Sequence, residues 1–448
     1  MDQYSQSKSK CLKIAVVGSG ISGMSAAWLL SKKHNVTVYE SEERLGGHSN
    51  TVEIIDKQKA HWVDTGFIVY NEVNYPNLTR LLDHLNVPTQ KSDMSFGVSI
   101  NGGDLEYGSR NLNAVLGQRS NLINGRFWRM LKDIQIFCNH SENFLANGSV
   151  QNQTTLGGFL SQRSYGAEFI NQFILPMGAA IWSTKSDEML EQPAVTFLRF
   201  FASHGLMRFR NRIPWRTVVG GSRNYVQKLT ASYADKVRLG LGVRKVLRHP
   251  GGVKIIDVFG ETEKFDAVVI ATHADQALSM LADPDTLERS LLGAFRYTEN
   301  HVVLHSDINL MPKRQQVWSS WNFMGDSDRG VGVTYWMNSL QKIPSSFPLF
   351  VSVNPKTTPD HSRVLKTFDY QHPMFDLNAW GAQQCLWQLQ NHRNTWYCGS
   401  YFGYGFHEDA LQSGLAVAED LGGVRRPWTL ENESNRIHRF SVTQDIAA

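Results

Sequence analysis

The apolar and polar positions of the first forty residues predict a strand, a helix and a second strand. Residues 14–17 (IAVV) are an unbroken apolar run, typical of a strand that is buried on both faces. A glycine-rich turn follows, and the apolar positions of Met24–Ser31 indicate a helix. A second apolar run, Val36–Tyr39, ends at the acidic residue Glu40. The pattern predicts a β–α–β unit at the beginning of the fold.

The turn between the first strand and the helix has the spacing G-x-G-x-x-G. Gly18 permits a tight turn, Gly20 lets the backbone approach a pyrophosphate, and Gly23 lets the helix lie close to the strand. The amides and the positive dipole end of the helix would then face the pyrophosphate charge. Glu40 follows the second strand, where a carboxylate accepts the hydroxyls of an adenosine ribose. The sequence therefore predicts a bound dinucleotide.

The residues after Glu40 indicate which dinucleotide is bound. The chain continues with the stretch Arg44–His48 (RLGGH), and a nicotinamide enzyme does not need a glycine pair at this place. This stretch resembles the flavin amine oxidase, phytoene desaturase and protoporphyrinogen oxidase superfamily. Two later segments, Phe265–Thr272 and Trp396–Leu421, are similar to the superfamily's later cofactor-binding strands and its last helix. The resemblance implies FAD, which we expect to be bound non-covalently.

The motif and the resemblance together predict the cofactor-binding residues. The resemblance implies that the backbone of Val243 holds adenine and that the amides of His407 and Glu408 face a carbonyl of the flavin. The complete predicted set is Gly18, Gly20, Ser22, Gly23, Glu40, Arg44, Gly46, Gly47, His48, Asp64, Gly66, Phe67, Val243, Thr272, Gly399, His407 and Glu408.

The resemblance also implies the fold class and the domain organisation. We expect a Rossmann-like FAD-binding domain of the glutathione-reductase type, with α/β and α+β parts and an inserted substrate domain. The predicted FAD-binding domain comprises residues 12–75, 215–275 and 394–425, and the substrate domain residues 76–214 and 276–393. Residues 1–11 are predicted to be a disordered tail.

Composition restricts the possible partners of the chain. A formal net charge of +4 on 448 residues is too small to indicate nucleic-acid binding. The amino terminus has no apolar signal segment, so we expect a cytoplasmic protein, with peripheral contact to the inner membrane face as an option. The four cysteines have no metal-binding spacing, and we interpret Cys398 as a buried strand residue. A second G-x-G-x-x-G is absent from the sequence, so we expect no separate NAD(P)H domain.

The catalytic residues are the least determined part of the sequence. His407, Tyr404 and Asn300 are weak candidates, and the catalytic base stays unknown. The resemblance places Asn300 where many amine oxidases have a lysine, and Tyr401 where the superfamily has a glutamate that binds the ribityl chain. Both departures argue against an amine oxidase. Five aromatic residues are candidates for the walls of an amine site, although core packing is the favoured role of each: Phe67, Tyr70, Trp182, Tyr404 and Phe406.

Several stretches are similar to a subgroup of amine-oxidase-like FAD/NAD-binding proteins that are often encoded beside cyclopropane-fatty-acyl synthases. They include residues 64–71 (DTGFIVYN), 215–226 (WRTVVGGSRNYV) and 403–414 (GYGFHEDALQSG). In addition, basic and bulky apolar residues alternate within 197–223 and 126–132, a pattern that suits anionic lipid. A solvated helix that packs on the substrate domain is the alternative interpretation.

These observations lead to three hypotheses of function. The first is FAD-dependent oxidoreduction of an acyl chain, in particular a phospholipid-bound fatty acyl group, by desaturation or double-bond rearrangement. The second is oxidation of a small amine. The third is an FAD-stabilised accessory partner of a lipid-modifying methyltransferase.

Overall fold

The computed structural model describes residues 10–146, 154–182, 189–203, 213–326 and 329–439. The chain divides into two compact units. The first contains Met1–Gly47, Tyr225–Phe295 and Gly381–Ala448, and the second contains His48–Asn224 and Arg296–Trp380. These bounds differ from the predicted domains, since residues 48–75 and 215–224 fall in the second unit and residues 276–295 and 381–393 in the first. Residues 1–9 of the predicted tail lie outside the described residues.

The strands have the following bounds in chain order: β1 Lys13–Val17, β2 Asn35–Tyr39, β3 Thr51–Asp56, β4 Lys59–Asp64, β5 Tyr70–Asn71, β6 Thr89–Ser92, β7 Phe96–Ile100, β8 Leu105–Gly108, β9 Trp215–Val218, β10 Val237–Arg238, β11 Val243–His249, β12 Gly252–Asp257, β13 Thr262–Phe265, β14 Ala267–Ile270, β15 Arg296–His305, β16 Trp321–Asp326, β17 Arg329–Trp336, β18 Phe350–Val353, β19 Val364–Met374 and β20 Thr395–Tyr397.

The α-helices have the following bounds: α1 Ile21–Leu30, α2 Pro76–His84, α3 Leu112–Val115, α4 Gly125–Ala146, α5 Leu156–Gln162, α6 Ala167–Phe169, α7 Leu175–Trp182, α8 Ala194–Ser203, α9 Arg223–Thr230, α10 Ala274–Met280, α11 Thr286–Leu292, α12 Met337–Leu340, α13 Leu377–Gln383 and α14 His407–Asp420. A π-helical segment, Ile170–Ile174, joins α6 to α7.

The first unit is built on a five-stranded sheet with the order β10–β2–β1–β14–β20. Its strand pairs are all parallel, and the ends of three strands are aligned where Val17 pairs with both Tyr39 and Ile270. Buried parallel strands are nearly continuous apolar runs, as in β14, where every residue from Ala267 to Ile270 is buried. The predicted β–α–β unit is therefore present as β1, α1 and β2.

Helix α1 is buried along its whole length. It packs against α14 at a point where Gly414 allows the two backbones to approach closely. A Cβ at Gly414 would lie 2.2 Å from the carbonyl oxygen of Ser22 and 2.4 Å from the hydroxyl oxygen of Ser25. A side chain at this glycine would therefore force the two helices apart.

A buried ion-pair network stabilises the first unit away from the glycine turn. The side chains of Arg248 on β11 and Glu288 on α11 are both fully buried and paired. Oε2 of Glu288 accepts from Nη2 of Arg248 at 2.9 Å, and Oε1 accepts from the hydroxyl of Tyr397 at 2.8 Å. Burial alone would raise the pKa of Glu288, but these hydrogen bonds outweigh it and hold the pKa below its usual value.

The second unit is built on a seven-stranded sheet with the order β19–β15–β18–β17–β16–β7–β8. Most of its strand pairs are antiparallel, whereas β16 pairs with β7 in parallel. One of its apolar cores contains side chains from β3, β4, β15 and β18, among them Val52, Val63, Val302 and Val351. Helices α4 to α8 make the described part of residues 125–203 largely helical.

Most predicted elements occur within a few residues of their expected positions. The helix predicted at Met24–Ser31 begins earlier, at Ile21, and Gly20 is its N-cap residue. Apolar and polar residues alternate over Val237–Val246 and predict a single strand, which is wrong. The segment is divided into β10 and β11, since Gly240 has a φ of +64° that interrupts an extended chain.

We predict that Arg248→Met lowers the free energy of unfolding by about 3–5 kcal/mol, because it leaves the Glu288 carboxylate buried without its partner. Denaturant unfolding monitored by circular dichroism measures the change. The control is Arg393→Met, whose guanidinium is 39% exposed and pairs with Asp283; it should cost less than about 1 kcal/mol. Equal losses in the two variants would contradict this assignment.

Candidate functional site

The turn after β1 has the shape that a dinucleotide requires. Gly18 has a φ of +98°, and a Cβ there would lie 2.9 Å from the carbonyl oxygen of Ala271. A Cβ at Gly23 would lie 2.0 Å from the carbonyl oxygen of Gly18. At Gly20, in contrast, a Cβ would meet no atom within 4 Å. The turn is therefore closed against the strand at two glycines and has open space over the middle one, where a pyrophosphate would lie.

Glu40 follows β2 directly, and its side chain reaches this turn. One carboxylate oxygen accepts from the amide of Ser19 at 2.9 Å and from its hydroxyl at 2.6 Å. The other oxygen accepts from the amide of Glu42 at 2.9 Å. These bonds hold the buried carboxylate beside the residue that separates Gly18 from Gly20. Its position agrees with the predicted role as an acceptor for a ribose.

The second glycine stretch lies against the first. The amide of Gly46 donates to the carbonyl oxygen of Ser19 at 3.1 Å, and a Cβ at Gly47 would lie 3.2 Å from the Cα of Gly20. Arg44 stabilises this bend by donating to the carbonyl oxygen of Gly47 at 2.8 Å. Backbone from two separate segments thus forms a cradle with no side chain at its centre. The residues present fit the pyrophosphate of a dinucleotide.

Three further predicted residues of the first unit have different surroundings. Thr272 follows β14, and its methyl group would be 3.3 Å from a Cβ at Gly18, so it borders the turn. Gly399 contacts helix α14, where its amide donates to the hydroxyl of Ser413 at 3.0 Å. Val243 begins β11 and pairs with Asp257. Of the three, the described contacts bring only Thr272 to the glycine turn.

The start of α14 carries a neutral histidine. Nε2 of His407 is 2.8 Å from the hydroxyl oxygen of Tyr225. Burial lowers the pKa of His407 to about 3, because the charged imidazolium would lose its hydration. The ring is therefore uncharged at neutral pH, and it is a weak proton acceptor.

The two acids in the first turn of α14 are both fully buried and both have partners. Gln412 donates to Glu408 at 3.0 Å. One oxygen of Asp409 accepts from the amide of Phe406 at 2.8 Å, which caps the helix, and the other pairs with Arg436 at 3.2 Å. Burial raises the pKa of Asp409, in opposition to the nearby Arg436 charge. The negative charge of Asp409 at the helix start is therefore compensated by Arg436.

Arg436 also determines the surroundings of the candidate Tyr404. Its guanidinium carbon lies 5.9 Å from the centre of the Tyr404 ring, within the range of a cation–π contact. One cation therefore already occupies a place beside this ring. In the second unit, Tyr70 is buried and packs edge-on against Tyr75 at 6.3 Å. The side chain of Trp182 lies outside the described residues.

In the second unit, Asp64 is the centre of a buried hydrogen-bond cluster. Its carboxylate accepts from the amide of Ser222 at 2.9 Å, from the hydroxyl of Thr51 at 2.6 Å and from the amide group of Gln341 at 2.8 Å. Burial raises its pKa to about 6, although these donors favour the charged form. Asp64 thus joins β3, β4 and the turn before α9.

Gly66 and Phe67, which follow Asp64 in the predicted set, lie against the backbone carbonyl of His48. The amide of Phe67 donates to the carbonyl oxygen of His48 at 2.7 Å. A Cβ at Gly66 would lie 2.2 Å from the same oxygen, so the position has room only for glycine. Since His48 is bonded to Gly47, this contact fixes the chain immediately after the glycine cradle.

The ring of His48 belongs to a cluster that sequence reasoning did not find. Its centre is 5.0 Å from the ring of Tyr370 and 5.4 Å from that of His372. Nδ2 of Asn300 lies 3.3 Å from Nδ1 of His372, and Oδ1 of Asn300 accepts from the side-chain amide of Asn354 at 2.8 Å. Asn300 is therefore a buried, hydrogen-bonded strand residue at this position.

No local signal in the sequence marked Tyr370, His372, Tyr225 or Arg436. Tyr370 and His372 enter the cluster through the pairing of β15 with β19, which aligns Asn300 with Tyr370 and Thr298 with His372. These strands are separated by more than fifty residues of chain. Pairing of this kind is set by the sheet as a whole.

Comparison with known proteins identifies the family. A model of flavin-containing amine oxidoreductases matches residues 21–377, which is most of the chain. The chain belongs to this family. It is therefore a flavin-dependent oxidoreductase, and both the predicted resemblance and the predicted fold class are confirmed.

Several enzymes of known structure have a similar fold, and their names indicate different substrates. Wild-type putrescine oxidase bound to putrescine is 15% identical, with a TM-score of 0.66 over 92% of this chain and 99% of that chain. The CLA-producing fatty acid isomerase from P. acnes is 15% identical, with a TM-score of 0.64 over 93% and 99%. Cyclohexylamine oxidase from Brevibacterium oxydans IH-35A is 15% identical, with a TM-score of 0.63 over 92% and 100%. At this identity the likeness concerns the fold.

In the described parts of the stretch 197–223, the phenylalanines are buried, unlike those of a surface that contacts anionic lipid. Phe197 and Phe201 are buried and stack at 4.2 Å between ring centres, so they belong to a core. Arg216 lies on β9 and donates to the hydroxyl of Thr89 at 3.0 Å, and Arg223 lies over the ring of Trp62 at 4.0 Å. The buried phenylalanines favour the packed-helix interpretation of this stretch. Residues 204–212, with Arg208, Arg210 and Arg212, lie outside the described residues.

Two further features are absent from the described part of the chain. No helix in it is long and apolar enough to cross a membrane. It also contains no group of three or more His, Cys, Asp or Glu residues arranged to hold a metal ion.

We predict that Glu40→Arg purifies with well under half of the wild-type flavin content, because it removes the ribose acceptor and adds a cation at the glycine turn. The ratio of visible flavin absorbance to protein absorbance measures this. Glu43→Arg is the matched control, since Glu43 is exposed and three residues away. Full flavin content in Glu40→Arg would refute the assignment of the site.

Asp64 should make stability depend on pH. Its pKa is about 6 in the folded protein and about 3.9 when unfolded. The folded state thus holds the proton more tightly, and this contribution is complete below pH 4 and lost as the pH rises through 6. Relative to Asp64→Asn, the wild type should lose about 2 kcal/mol between pH 4 and pH 7.

Urea unfolding of both proteins at a series of pH values measures this difference. Asp56 supplies a control of opposite sign, because hydrogen bonds from Ser346 lower its pKa. The wild type should therefore gain stability relative to Asp56→Asn as the pH rises. Parallel pH profiles of the wild type and Asp64→Asn would show that burial of Asp64 does not shift its pKa.

Proposed function

We propose that the flavin is FAD and that it is bound without a covalent link. The glycine cradle and Glu40 suit the pyrophosphate and the adenosine ribose of a dinucleotide, which a flavin mononucleotide lacks. Cys398 is buried, and burial raises the pKa of its thiol to about 12. A thiol that stays protonated is a poor nucleophile toward a flavin ring.

We further propose that the substrate is an acyl chain, in particular a fatty acyl group of a phospholipid, which undergoes desaturation or rearrangement of a double bond. One observation carries this proposal: the Asp409 carboxylate at the start of α14 already has a cationic partner. Asp409 is neutralised by Arg436, and the guanidinium of Arg436 lies beside the Tyr404 ring. This cation would repel a substrate ammonium at Tyr404, whereas it would not repel an uncharged chain.

The residues at the start of α14 support an uncharged substrate in a second way. Burial keeps His407 neutral, and its hydrogen bond to Tyr225 fixes the orientation of both rings. We assign His407 a positioning role, because a group with a pKa of about 3 is a weak base at neutral pH. The flavin, when bound, supplies the acceptor for the hydride that leaves a C–H bond.

Amine oxidation is the second candidate function. It is favoured by the fold shared with putrescine oxidase and cyclohexylamine oxidase. Tyr404 and Phe406 could form aromatic walls for an amine. Asn300 argues against this function, because the resemblance places it at the lysine of many amine oxidases and its amide is buried in hydrogen bonds.

We predict that unsaturated phospholipids or fatty acids are converted by the purified holoenzyme, whereas a panel of mono- and diamines neither bleaches the flavin nor yields product. Each substrate is added without oxygen while visible flavin absorbance is recorded, and mass spectrometry of the products detects an isomerisation that leaves no net reduction. Arg436→Gln tests the charge argument, since removal of the cation should increase amine oxidation relative to the wild type.

Rapid bleaching by an amine in the wild type would place amine oxidation first. Absence of both bleaching and products with lipids and amines would favour the third hypothesis, an accessory partner of a lipid-modifying methyltransferase. Stimulation of such a methyltransferase by the flavin-loaded protein would then be the appropriate measurement.

A further inference from the structure

The second unit exposes an unusual group of large apolar side chains between residues 112 and 128. Leu112 is 81% exposed, Ile123 90%, and Leu122 and Trp128 48% each. We call these four residues together with the basic side chains beside them the 112–132 patch. Exposed apolar side chains that occur singly are ordinary, but a cluster of them marks a surface of interaction.

Hydrogen bonds hold the patch in this exposed form. Asn121 is buried and donates to the carbonyl oxygen of Glu106 at 3.1 Å, so it anchors the turn from below. The indole N–H of Trp128 donates to the carbonyl oxygen of Leu122 at 3.0 Å. Beneath the exposed side of α4, Phe127 is buried and packs against Tyr107. The apolar side chains therefore project from a fixed support.

The charged residues within the patch are basic, and acidic residues lie at its borders. Residues 107–132 contain Arg110, Arg119, Arg126, Arg129 and Lys132 and no acidic residue. Arg110 pairs with Asp93 at 3.2 Å. The side chain of Arg126 is 80% exposed, and its ion pair with Glu168 is long, at 3.8 Å. Arg119, Arg129 and Lys132 are exposed as well.

Other exposed apolar residues have different neighbours. Phe259 is 77% exposed on the turn between β12 and β13, but Asp257 and Glu261 flank it. Ile55 is 63% exposed on β3, beside Glu53, Asp56 and Lys57. The 112–132 patch thus differs in combining several protruding apolar groups with an excess of positive charge.

We propose that the 112–132 patch docks this protein on an anionic phospholipid bilayer. Ile123 and Leu122 enter the boundary between head groups and acyl chains, Trp128 lies at the head-group level, and the arginines contact lipid phosphates. The positive charge argues against a second copy of the chain as the occupant, because a two-fold interface would bring like charges together. Docking is independent of the reaction, and it holds equally if the substrate is an amine.

Vesicle co-sedimentation of the flavin-loaded protein tests this proposal. Binding to phosphatidylglycerol vesicles should exceed binding to phosphatidylcholine vesicles, and added salt should weaken it. Ile123→Ser removes an apolar side chain that would enter the bilayer, and it should reduce the partition coefficient about tenfold. Arg126→Gln together with Arg129→Gln should reduce it by a similar factor on phosphatidylglycerol and have little effect on phosphatidylcholine.

Phe259→Ser is the matched control, because it removes an exposed aromatic side chain outside the patch. Flavin content and the thermal midpoint of each variant establish that it is folded. The proposal is overturned if the wild type binds neither vesicle or both equally, or if Phe259→Ser loses as much binding as Ile123→Ser. A dimer in light scattering that Ile123→Ser dissociates would also overturn it in favour of a second copy.

Discussion

The close approach of backbone to backbone at the turn after β1 is the constraint on which the first unit depends. Gly18 and Gly23 bring the turn and α1 onto the strand, since a Cβ at either position would overlap a carbonyl oxygen. The same closeness is repeated at Gly47 against Gly20 and at Gly414 against α1. The glycines thus set the distances at which the cradle, α1 and α14 lie from one another, and they leave open backbone where a pyrophosphate would be bound.

The charged groups inside both units are arranged so that few are free. Glu288 is paired with Arg248, Asp409 with Arg436, and Asp64 accepts hydrogen bonds from several donors. A buried charge without a partner would be costly, and each of these groups instead fixes the orientation of its neighbours. At the start of α14, the negative charge of Asp409 is compensated by Arg436.

One compositional pattern had two different structural outcomes. Basic and bulky apolar residues alternate in both 126–132 and 197–223. In α8 the aromatic side chains of Phe197 and Phe201 are buried, whereas in and before α4 Trp128 and Ile123 project into solvent. The two segments have similar composition, but the side of each helix that packs on the rest of its unit decides which apolar side chains are buried.

The sequence by itself determined the parts of the protein that are local. Three glycines, one acid and two apolar runs specify the β–α–β unit and the dinucleotide turn, because each requirement acts within a few residues of chain. The cradle between the two glycine stretches followed from the family resemblance. The cluster of His48, Tyr370 and His372, the Arg436 cation at Tyr404 and the neutral state of His407 depended on tertiary structure. Strand pairing and burial join residues that are far apart in the chain, and no local pattern encodes which side chains they bring together.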